Sequence, residues 1–462
     1  MDRAHFYERD YYGTTFLHPL AAASMILLGI MTLALPRKYA LLPLLLLINF
    51  IPCSQRIAIA GLDFNLLRIM IIFGWTRILM RGEFKDMGLV KLDKLMLAWA
   101  ASETLIYVLQ FKNFGALVTM SGRMMEAVGG YFMVRAFVRS WADLKALAQC
   151  ICIISIPVAI FFVIEKNTGR NYFSIFGGVP EYTHEREGKL RAMGAIANPI
   201  LAGCMWGAFL PLMAALLWQK GSQFLGAWGV LNGLVVVVAC ASSTPLASVM
   251  AAGLGGFLFL HRRKMHEIRK AIIWGSIGMH LLMETQGHPL WHLLARIDLV
   301  GGSTGWHRYN LINQWIHRFW EWALLGTKTT AHWGWGLWDV TNQFVLESVR
   351  GGLLTLIVFV WMIGTAFRYV GPLWRWTEGN RAEVAMAWAL GCSLFAHISS
   401  FIAVSYFGQM VIVFYMQIAL IAGLYAAMKR AQAEGTEEVR EEGETAEVAS
   451  VPYRRRRPLL GA

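Results

Sequence analysis

The chain has 462 residues, of which 56% are hydrophobic and only 15% are charged. Soluble globular proteins carry about 25% charged residues, so this composition excludes an ordinary soluble protein. The 42 basic and 29 acidic residues give a net charge of +13. Because Lys and Arg collect on the cytoplasmic loops of membrane proteins, this surplus does not indicate a nucleic-acid partner.

The apolar residues form continuous runs and do not alternate with polar residues. The run at 41–50 reads LLPLLLLINF, and the run at 353–362 reads LLTLIVFVWM. Continuous runs are typical of membrane-spanning helices, whereas the strands of a membrane barrel alternate apolar and polar side chains. The sequence therefore predicts an all-α fold, a polytopic transmembrane helical bundle.

About twelve or thirteen apolar runs are candidates for crossing a bilayer. A span needs roughly 17 residues or more, so the short runs at 39–53 and 270–283 are either re-entrant or tilted. The number of true spans decides on which side the N-terminus lies, and the sequence leaves that side open. In chain order the predicted spans are 16–35, 39–53, 64–80, 94–111, 115–136, 143–164, 196–218, 224–241, 245–260, 270–283, 352–371, 383–404 and 408–428.

The distribution of basic residues orients these spans. The stretch at 261–270 reads HRRKMHEIRK, and such basic stretches lie on the cytoplasmic side. The two long loops at 165–195 and 284–351 then share the outer face. Because loops longer than about 15 residues are commonly functional, we expect the functional site there.

The transmembrane domain is predicted to cover residues 1–428. Residues 429–462 are charged and nearly free of large apolar side chains until their end, which predicts a disordered cytoplasmic tail. The six cysteines lie in or beside apolar runs without the spacing of a metal site. We therefore interpret them as small core residues.

Several ionisable side chains fall inside predicted spans, where charge is costly and commonly functional. Arg123 and Glu126 are three residues apart, so they either neutralise each other or serve a site. His397 is interpreted as a hydrogen-bonded core residue, with a place in the site as the alternative. Two others are Arg68 and Glu103.

Both outer loops contain arginines, against the positive-inside trend. Arg191 lies at the mouth of a span, where a guanidinium either binds phosphate through paired hydrogen bonds or extends its charged end to water. Arg308 lies in the second loop, which is rich in Gly, Trp and His. His288 and His292 have the spacing of a helical metal pair, but Pro289 lies between them and no third ligand has a distinctive spacing. No metal site is predicted.

The order of these motifs resembles that of the O-antigen ligase/polymerase superfamily, and the resemblance covers most of the chain. The resemblance is based on four motifs: an R-x-x-G-x-x-x-N-P run (Arg191, Gly194, Asn198, Pro199), an Arg in the large loop (Arg308), a Gly-rich turn (Gly326, Gly334, Gly336) and an N-x9-G pattern (Asn342, Gly352). Three features depart from the pattern. Thr341 stands where ligases of the family usually have His, and Thr355 stands where they have a second Gly. In many relatives an Arg follows a Ser near the end of the span before the cytoplasmic loop, whereas here the run is Ser242-Ser243-Thr244-Pro245.

The resemblance implies a bacterial inner-membrane glycosyltransferase with its active site facing the periplasm. Its expected donor is an undecaprenyl-pyrophosphate-linked glycan, its acceptor is a saccharide or a lipid, and membrane lipids surround it. No cofactor and no nucleic acid are expected. Polymerisation is favoured slightly over ligation because Thr341 replaces the ligase His. A transporter or flippase of lipid-linked saccharides is the alternative, since it would also need arginines at the outer face.

The expected site residues divide into two groups. The resemblance assigns pyrophosphate binding to Arg191 and Arg308, and their positive charge would stabilise the departing pyrophosphate. Further expected substrate-binding residues are Asn342, His307 and Trp335. The loop tryptophans either stack on sugar rings or anchor the loop at the membrane interface.

The second group comprises candidates for the base that accepts the acceptor's proton: Asp339, His332 and Glu347. Asp339 is favoured because it lies two residues before the expected His. For Asp339 and Glu347 the alternatives are helix capping or an ion pair with Arg350.

Overall fold

The computed structural model describes residues 13–85, 87–296 and 305–449, and most of these residues are helical. The α-helices are α1 (Pro19–Ala34), α2 (Leu42–Phe50), α3 (Leu66–Arg81), α4 (Lys91–Phe111), α5 (Phe114–Met124), α6 (Gly130–Phe137), α7 (Trp141–Thr168), α8 (Pro199–Ala215), α9 (Gln223–Ala239), α10 (Ser243–Leu258), α11 (Met265–Glu284), α12 (Leu293–Arg296), α13 (Gly305–His317), α14 (Phe319–Trp322), α15 (Gln343–Trp376), α16 (Arg381–Phe401) and α17 (Gln409–Ala449). Two short antiparallel hairpins pair β1 (Arg56–Ile59) with β2 (Leu62–Asn65) and β3 (Glu185–Arg186) with β4 (Lys189–Leu190). The all-α prediction is confirmed.

Six helical segments within the described ranges are long and apolar enough to cross a membrane: Trp141–Thr168, Pro199–Trp218, Ser243–Glu284, Gln343–Trp376, Arg381–Phe401 and Gln409–Glu434. Each predicted span corresponds to one of the helices above, except that the span predicted at 115–136 comprises α5, a π-helical segment and α6. The six segments are fewer than the twelve or thirteen predicted spans, in part because α2 has only nine residues and α1 and α3 have 16 each. The chain is a polytopic helical membrane protein.

The helix α17 forms the centre of the bundle. Its apolar part is the most completely buried of the six segments, and it packs against α6, α15 and α16. A helix that is apolar on all sides is typical of a position surrounded by other helices. On one side of this centre, α8 packs against α9, α10 and α16.

The helices α10 and α11 form a splayed hairpin. The 42 residues of Ser243–Glu284 would extend about 63 Å as a straight helix. The first turn of α10 and the 3-10 segment Leu290–His292 that follows α11 nevertheless both contact α13, because Thr244 accepts a hydrogen bond from Arg308 and Trp291 donates one to Asn313 at 3.3 Å. The chain therefore reverses at the 3-10 segment Phe259–Lys264. The basic stretch predicted as a loop forms this segment and the first turn and a half of α11.

The last helix continues to Ala449, past residue 429, from which the sequence analysis predicted a disordered tail. Residues 430–449 include seven Glu and four Ala, which are good helix formers. Residues 450–462 lie outside the described residues. The prediction for the cysteines is confirmed, because all six are buried free thiols.

Candidate functional site

Arg191 lies on a loop that is fixed by one buried carboxylate. Glu165, near the end of α7, accepts hydrogen bonds of 2.9 Å from the backbone N–H groups of Met193 and Gly194. It also accepts one of 2.9 Å from the hydroxyl of Thr183. These three bonds tie both ends of the β3–β4 segment to α7. Arg191 is therefore held in place by the loop backbone.

The guanidinium of Arg191 is partly buried, and its Nε is fully shielded from solvent. It makes no hydrogen bond or ion pair with any residue of the described part of the chain. Burial, and after it the positive charge of Arg186, lowers the pKa of Arg191 below its ordinary value. Lys166 donates to the backbone carbonyl of Leu190 and brings a further cation close. An uncompensated, partly dehydrated cation of this kind favours an anionic ligand.

Arg308 lies near the start of α13 and joins three elements. Its Nε donates to the backbone carbonyl of Ala403, just after α16, at 3.3 Å, and its Nη2 donates to the hydroxyl of Thr244 at 3.2 Å. Thr244 belongs to the first turn of α10. Arg308 is partly buried, so its guanidinium is positioned by contacts with α10 and α16.

The two arginines meet the same short connection between α9 and α10. The residue after Arg191, Ala192, donates from its backbone N–H to the carbonyl of Ala239 at 3.2 Å, while Arg308 contacts Thr244. The two contacted residues, Ala239 and Thr244, are five residues apart along the chain, and five residues span at most about 17 Å when fully extended. Within this connection Ala241 has a φ of +42°, a strained value that is enriched at functional sites. The structure thus brings Arg191 and Arg308 to one end of the bundle.

Next to Arg308, His307 contacts the loop that carries Asp339. The Nε2 atom of His307 lies 3.1 Å from the backbone carbonyl oxygen of Asp339, and the Asp339 side chain is exposed. Trp335 is 98% exposed and Trp338 is 64% exposed. Neither indole therefore packs in the core, and both remain available to a sugar ring or to the membrane interface.

His332 is paired with a residue of α14, which follows the C-terminal end of α13. Its Nε2 lies 2.7 Å from Glu321, which also accepts a hydrogen bond from the indole of Trp333 at 3.0 Å. Glu321 contacts Arg318 at 3.5 Å, and ten residues of helix separate Arg318 from Arg308 by roughly 15 Å. Burial alone would raise the pKa of Glu321, but hydrogen bonds from Trp333 and His332 hold it below its ordinary value. The structure does not bring His332 to the site.

Glu347 is fully buried in α15 and lies outside the loop cluster. It accepts hydrogen bonds from the indole of Trp99 at 2.8 Å and from Gln343 at 2.7 Å. Its ion-pair partner is Arg123, at 3.6 Å, whereas the alternative considered from the sequence was an ion pair with Arg350. The predicted role as a base in the outer loops therefore has no support from this position, which is inside the helical bundle.

Asn342 is the N-cap of α15. Its side-chain oxygen accepts hydrogen bonds from the backbone N–H groups of Phe344 and Val345 at 2.9 and 3.2 Å, and its amide nitrogen donates to the carbonyl of Ile402 at 3.2 Å. These contacts stabilise the start of the helix. Asn342 therefore has a structural role at the start of α15, whereas the resemblance implied that it binds substrate.

The expected pair of Arg123 and Glu126 does not form. Arg123 instead lies 3.2 Å from Glu103, and Glu126 lies 2.8 Å from Arg68. A π-helical segment, Met125–Gly129, follows α5 directly. A wider turn rotates the side chains that follow it, so the i,i+3 neighbours of a regular helix no longer share a face.

Two further histidine positions have structural contacts. His397 is buried, and its Nδ1 lies 3.0 Å from the hydroxyl of Tyr406, in agreement with its interpretation as a core residue. The rings of His288 and His292 stack with centroids 4.4 Å apart. The described ranges contain no group of three His, Cys, Asp or Glu side chains that could hold a metal ion.

Sequence reasoning missed two residues that position the arginines, Glu165 and Thr244. A signal for Glu165 was available, because an acidic residue in the last turn of a helix is disfavoured by the helix dipole unless it bonds elsewhere. For Thr244 no signal was available, because its contact with Arg308 joins distant parts of the chain.

The fold and this cluster define a polytopic helical membrane protein with paired arginines at one end. No family model matches the chain, and none of the curated proteins compared with it is significantly similar.

Proposed function

We propose that the protein is a membrane glycosyltransferase. It polymerises, or less favourably ligates, polysaccharide from undecaprenyl-pyrophosphate-linked donors at the periplasmic face of the bacterial inner membrane. The observation that carries this proposal is the guanidinium of Arg191, which is partly buried and has no hydrogen-bond or ion-pair partner in the described ranges. The motif resemblance around Arg191 and Arg308 supports the same reaction class.

The reaction places two demands on the site. When the saccharide leaves its lipid carrier, negative charge grows on the pyrophosphate, and positioned cations in a water-poor site stabilise that charge. Arg191 and Arg308 meet this demand, because both are partly buried and both adjoin the α9–α10 connection. The evidence is stronger for Arg191, because no described residue accepts a hydrogen bond from its guanidinium.

The second demand is a base and a surface for the acceptor. Asp339 and His307 lie together beside Arg308, so the proton of the acceptor hydroxyl is removed in this part of the loop. The exposed ring of Trp335 offers an apolar face to a sugar ring, a common mode of aromatic contact with ligands.

The test uses purified protein in lipid nanodiscs with undecaprenyl-pyrophosphate-linked repeat units and no other acceptor. The wild type is expected to lengthen the lipid-linked glycan, and Arg191→Ala is expected to lose this activity by about 100-fold or more. The matched control is Arg170→Ala in the same loop, whose exposed side chain pairs with Glu181 at 3.2 Å. It is expected to retain activity.

Two results would contradict the proposal. Equal elongation by Arg191→Ala and the wild type would remove the phosphate role of Arg191. Movement of the lipid-linked donor across a vesicle membrane, with no elongation under any acceptor, would instead support a transporter or flippase.

A further inference from the structure

The contact between His307 and Asp339 selects one tautomer of the imidazole. The Nε2 atom of His307 lies 3.1 Å from the backbone carbonyl oxygen of Asp339. A carbonyl oxygen only accepts hydrogen bonds, so the hydrogen is on Nε2. In the neutral ring Nδ1 then has a free lone pair and can accept a proton.

The Nδ1 atom of His307 is available to a ligand. No described residue makes a hydrogen bond to it, and the ring is only partly buried. Gly336 lies beside this edge of the ring with a φ of +76°, and a Cβ at Gly336 would come within 3.8 Å of Nδ1. Because Gly336 has no side chain, no side chain at position 336 covers this edge of the ring.

The position of His307 also suits proton transfer in the proposed reaction. It immediately precedes Arg308, one of the two cations expected to face the departing pyrophosphate. His332 is paired with Glu321 of α14 at 2.7 Å, and Glu347 is buried among Trp99, Gln343 and Arg123. His307 thus combines an available basic nitrogen with a place next to an arginine of the site, and the exposed residue Asp339 orients its ring through the backbone carbonyl.

We propose that His307 accepts the proton of the acceptor hydroxyl, an inference that rests on the proposed glycosyltransferase function. The acceptor oxygen forms a bond to the anomeric carbon of the donor as its proton passes to Nδ1. The bond between the anomeric carbon and the phosphate oxygen breaks, and its electron pair stays on the lipid pyrophosphate. The imidazolium then releases its proton to water. Asp339 contributes its backbone carbonyl, which orients the ring.

Two substitutions separate proton transfer from structure. His307→Gln replaces the Nε2–H donor with an amide N–H and removes the basic nitrogen, so the contact with Asp339 can persist. His307→Ala leaves a space that free imidazole can enter. The matched control is His317→Ala on the same helix, where the ring contacts only the backbone carbonyl of Asn313 among the described residues.

The experiment measures elongation of lipid-linked repeat units at saturating donor, with unfolding curves to check that each variant is folded. We expect both His307 variants to lose about 10²- to 10⁴-fold in kcat with little change in the KM for the donor. Free imidazole is expected to restore part of the activity of His307→Ala and none of that of His307→Gln. His317→Ala is expected to match the wild type.

The possible failures are distinguishable. If the wild type elongates glycan and the His307 variants match it, the His307 proposal is wrong and the glycosyltransferase function stands. Inactive His307→Ala that imidazole does not rescue assigns His307 a structural role and likewise overturns the proposal. If the wild type makes no product, the proposed function fails and the role of His307 falls with it.

Discussion

The indole nitrogen of Trp99 donates a hydrogen bond to the carboxylate of Glu347 at 2.8 Å, joining α4 to α15 inside the bundle. Gln343 donates to the other oxygen of the same carboxylate at 2.7 Å, and Arg123 lies 3.6 Å from it. Arg123 also lies 3.2 Å from Glu103. One buried cation therefore lies between two buried carboxylates, and Glu347 is in addition the hydrogen-bond acceptor for Trp99 and Gln343.

Replacement of Glu347 is expected to destabilise the fold. Removal of one partner of a buried ion pair commonly costs about 3–5 kcal/mol, and the loss of Glu347 would also leave the buried donors of Trp99 and Gln343 without their acceptor. We expect Glu347→Ala to lower the free energy of unfolding by about this amount, and Glu347→Gln by less because its amide can still accept from Trp99. The measurement is unfolding in detergent followed with a thiol-reactive dye, since all six cysteines are buried in the folded protein.

The control for this measurement is Glu181→Ala. Glu181 pairs with Arg170 at 3.2 Å, and both side chains are more than half exposed, so the change should have little effect on unfolding. An equal effect of Glu347→Ala and Glu181→Ala would show that the buried network does not stabilise the bundle.

Replacement of Arg191 is expected to have the opposite effect on stability. Because its guanidinium is partly buried without a partner in the described ranges, Arg191→Met should remove a desolvation cost and raise the unfolding midpoint by about 1–2 °C. Elongation should be lost at the same time. For comparison, Arg135 donates twice to the carboxylate of Asp93 at 2.9 Å, so Arg135→Met should lower the midpoint by several degrees. A similar loss of stability for Arg191→Met would indicate that Arg191 is structural.

Helices and burial could be predicted from this sequence, but ion-pair partners could not. Runs of apolar residues and the setting of the cysteines are local properties, and the structure agrees with both. The partners of Arg123 come from α4 and α15, whereas spacing along one helix suggested Glu126. The π-helical turn after α5 has no clear signal in composition, so the change of face could not be predicted.

In the candidate site, too, some features could be predicted from the sequence and the contacts between residues could not. Motifs in the two long loops identified Arg191 and Arg308 before any contact was known. The assignment of the base depended on distance along the chain from Thr341, which favoured Asp339. The structure shows that the Asp339 carbonyl faces His307, and a backbone contact of this kind cannot be predicted from residue types. Glu347 was predicted to lie in the outer loop because the predicted span began at residue 352, whereas α15 begins at Gln343.

Low pH is expected to destabilise residues 305–339, which we call the loop lobe. Hydrogen bonds from Trp333 and His332 hold the pKa of Glu321 below its ordinary value against the opposing effect of burial. A carboxyl group with a lowered pKa stabilises the folded form above its unfolded pKa, and this contribution is lost as the pH falls through the lower, folded value. Hydrogen exchange in the lobe should therefore accelerate below about pH 4.5.

The substitution Glu321→Gln tests the origin of this acid effect. With no titrating group at position 321, hydrogen exchange in the lobe should already be faster at pH 7 and should change less between pH 6 and pH 3. An unchanged acid response in Glu321→Gln would mean that other carboxyl groups control the lobe.

The backbone at Gly352 is expected to control how the loop lobe sits on α15. Gly352 has a φ of +65° and a ψ of −170° within α15, a region that is essentially restricted to glycine. A Cβ there would lie 2.7 Å from the carbonyl oxygen of Leu324. The next residue, Leu353, donates from its backbone N–H to the carbonyl of Ala323 at 2.8 Å. This close approach of two backbones joins the lobe to the helix.

Gly352→Ala should therefore lower the free energy of unfolding by at least about 2 kcal/mol, through backbone strain and the clash with Leu324. It should also reduce elongation, because the lobe carries Arg308 and His307. The matched control is Gly364→Ala on the same helix, where a Cβ meets nothing within 4 Å. That change should stabilise the helix by about 0.5–1 kcal/mol and leave elongation unchanged. If both alanine variants unfold like the wild type, the conformation at Gly352 does not determine the position of the lobe.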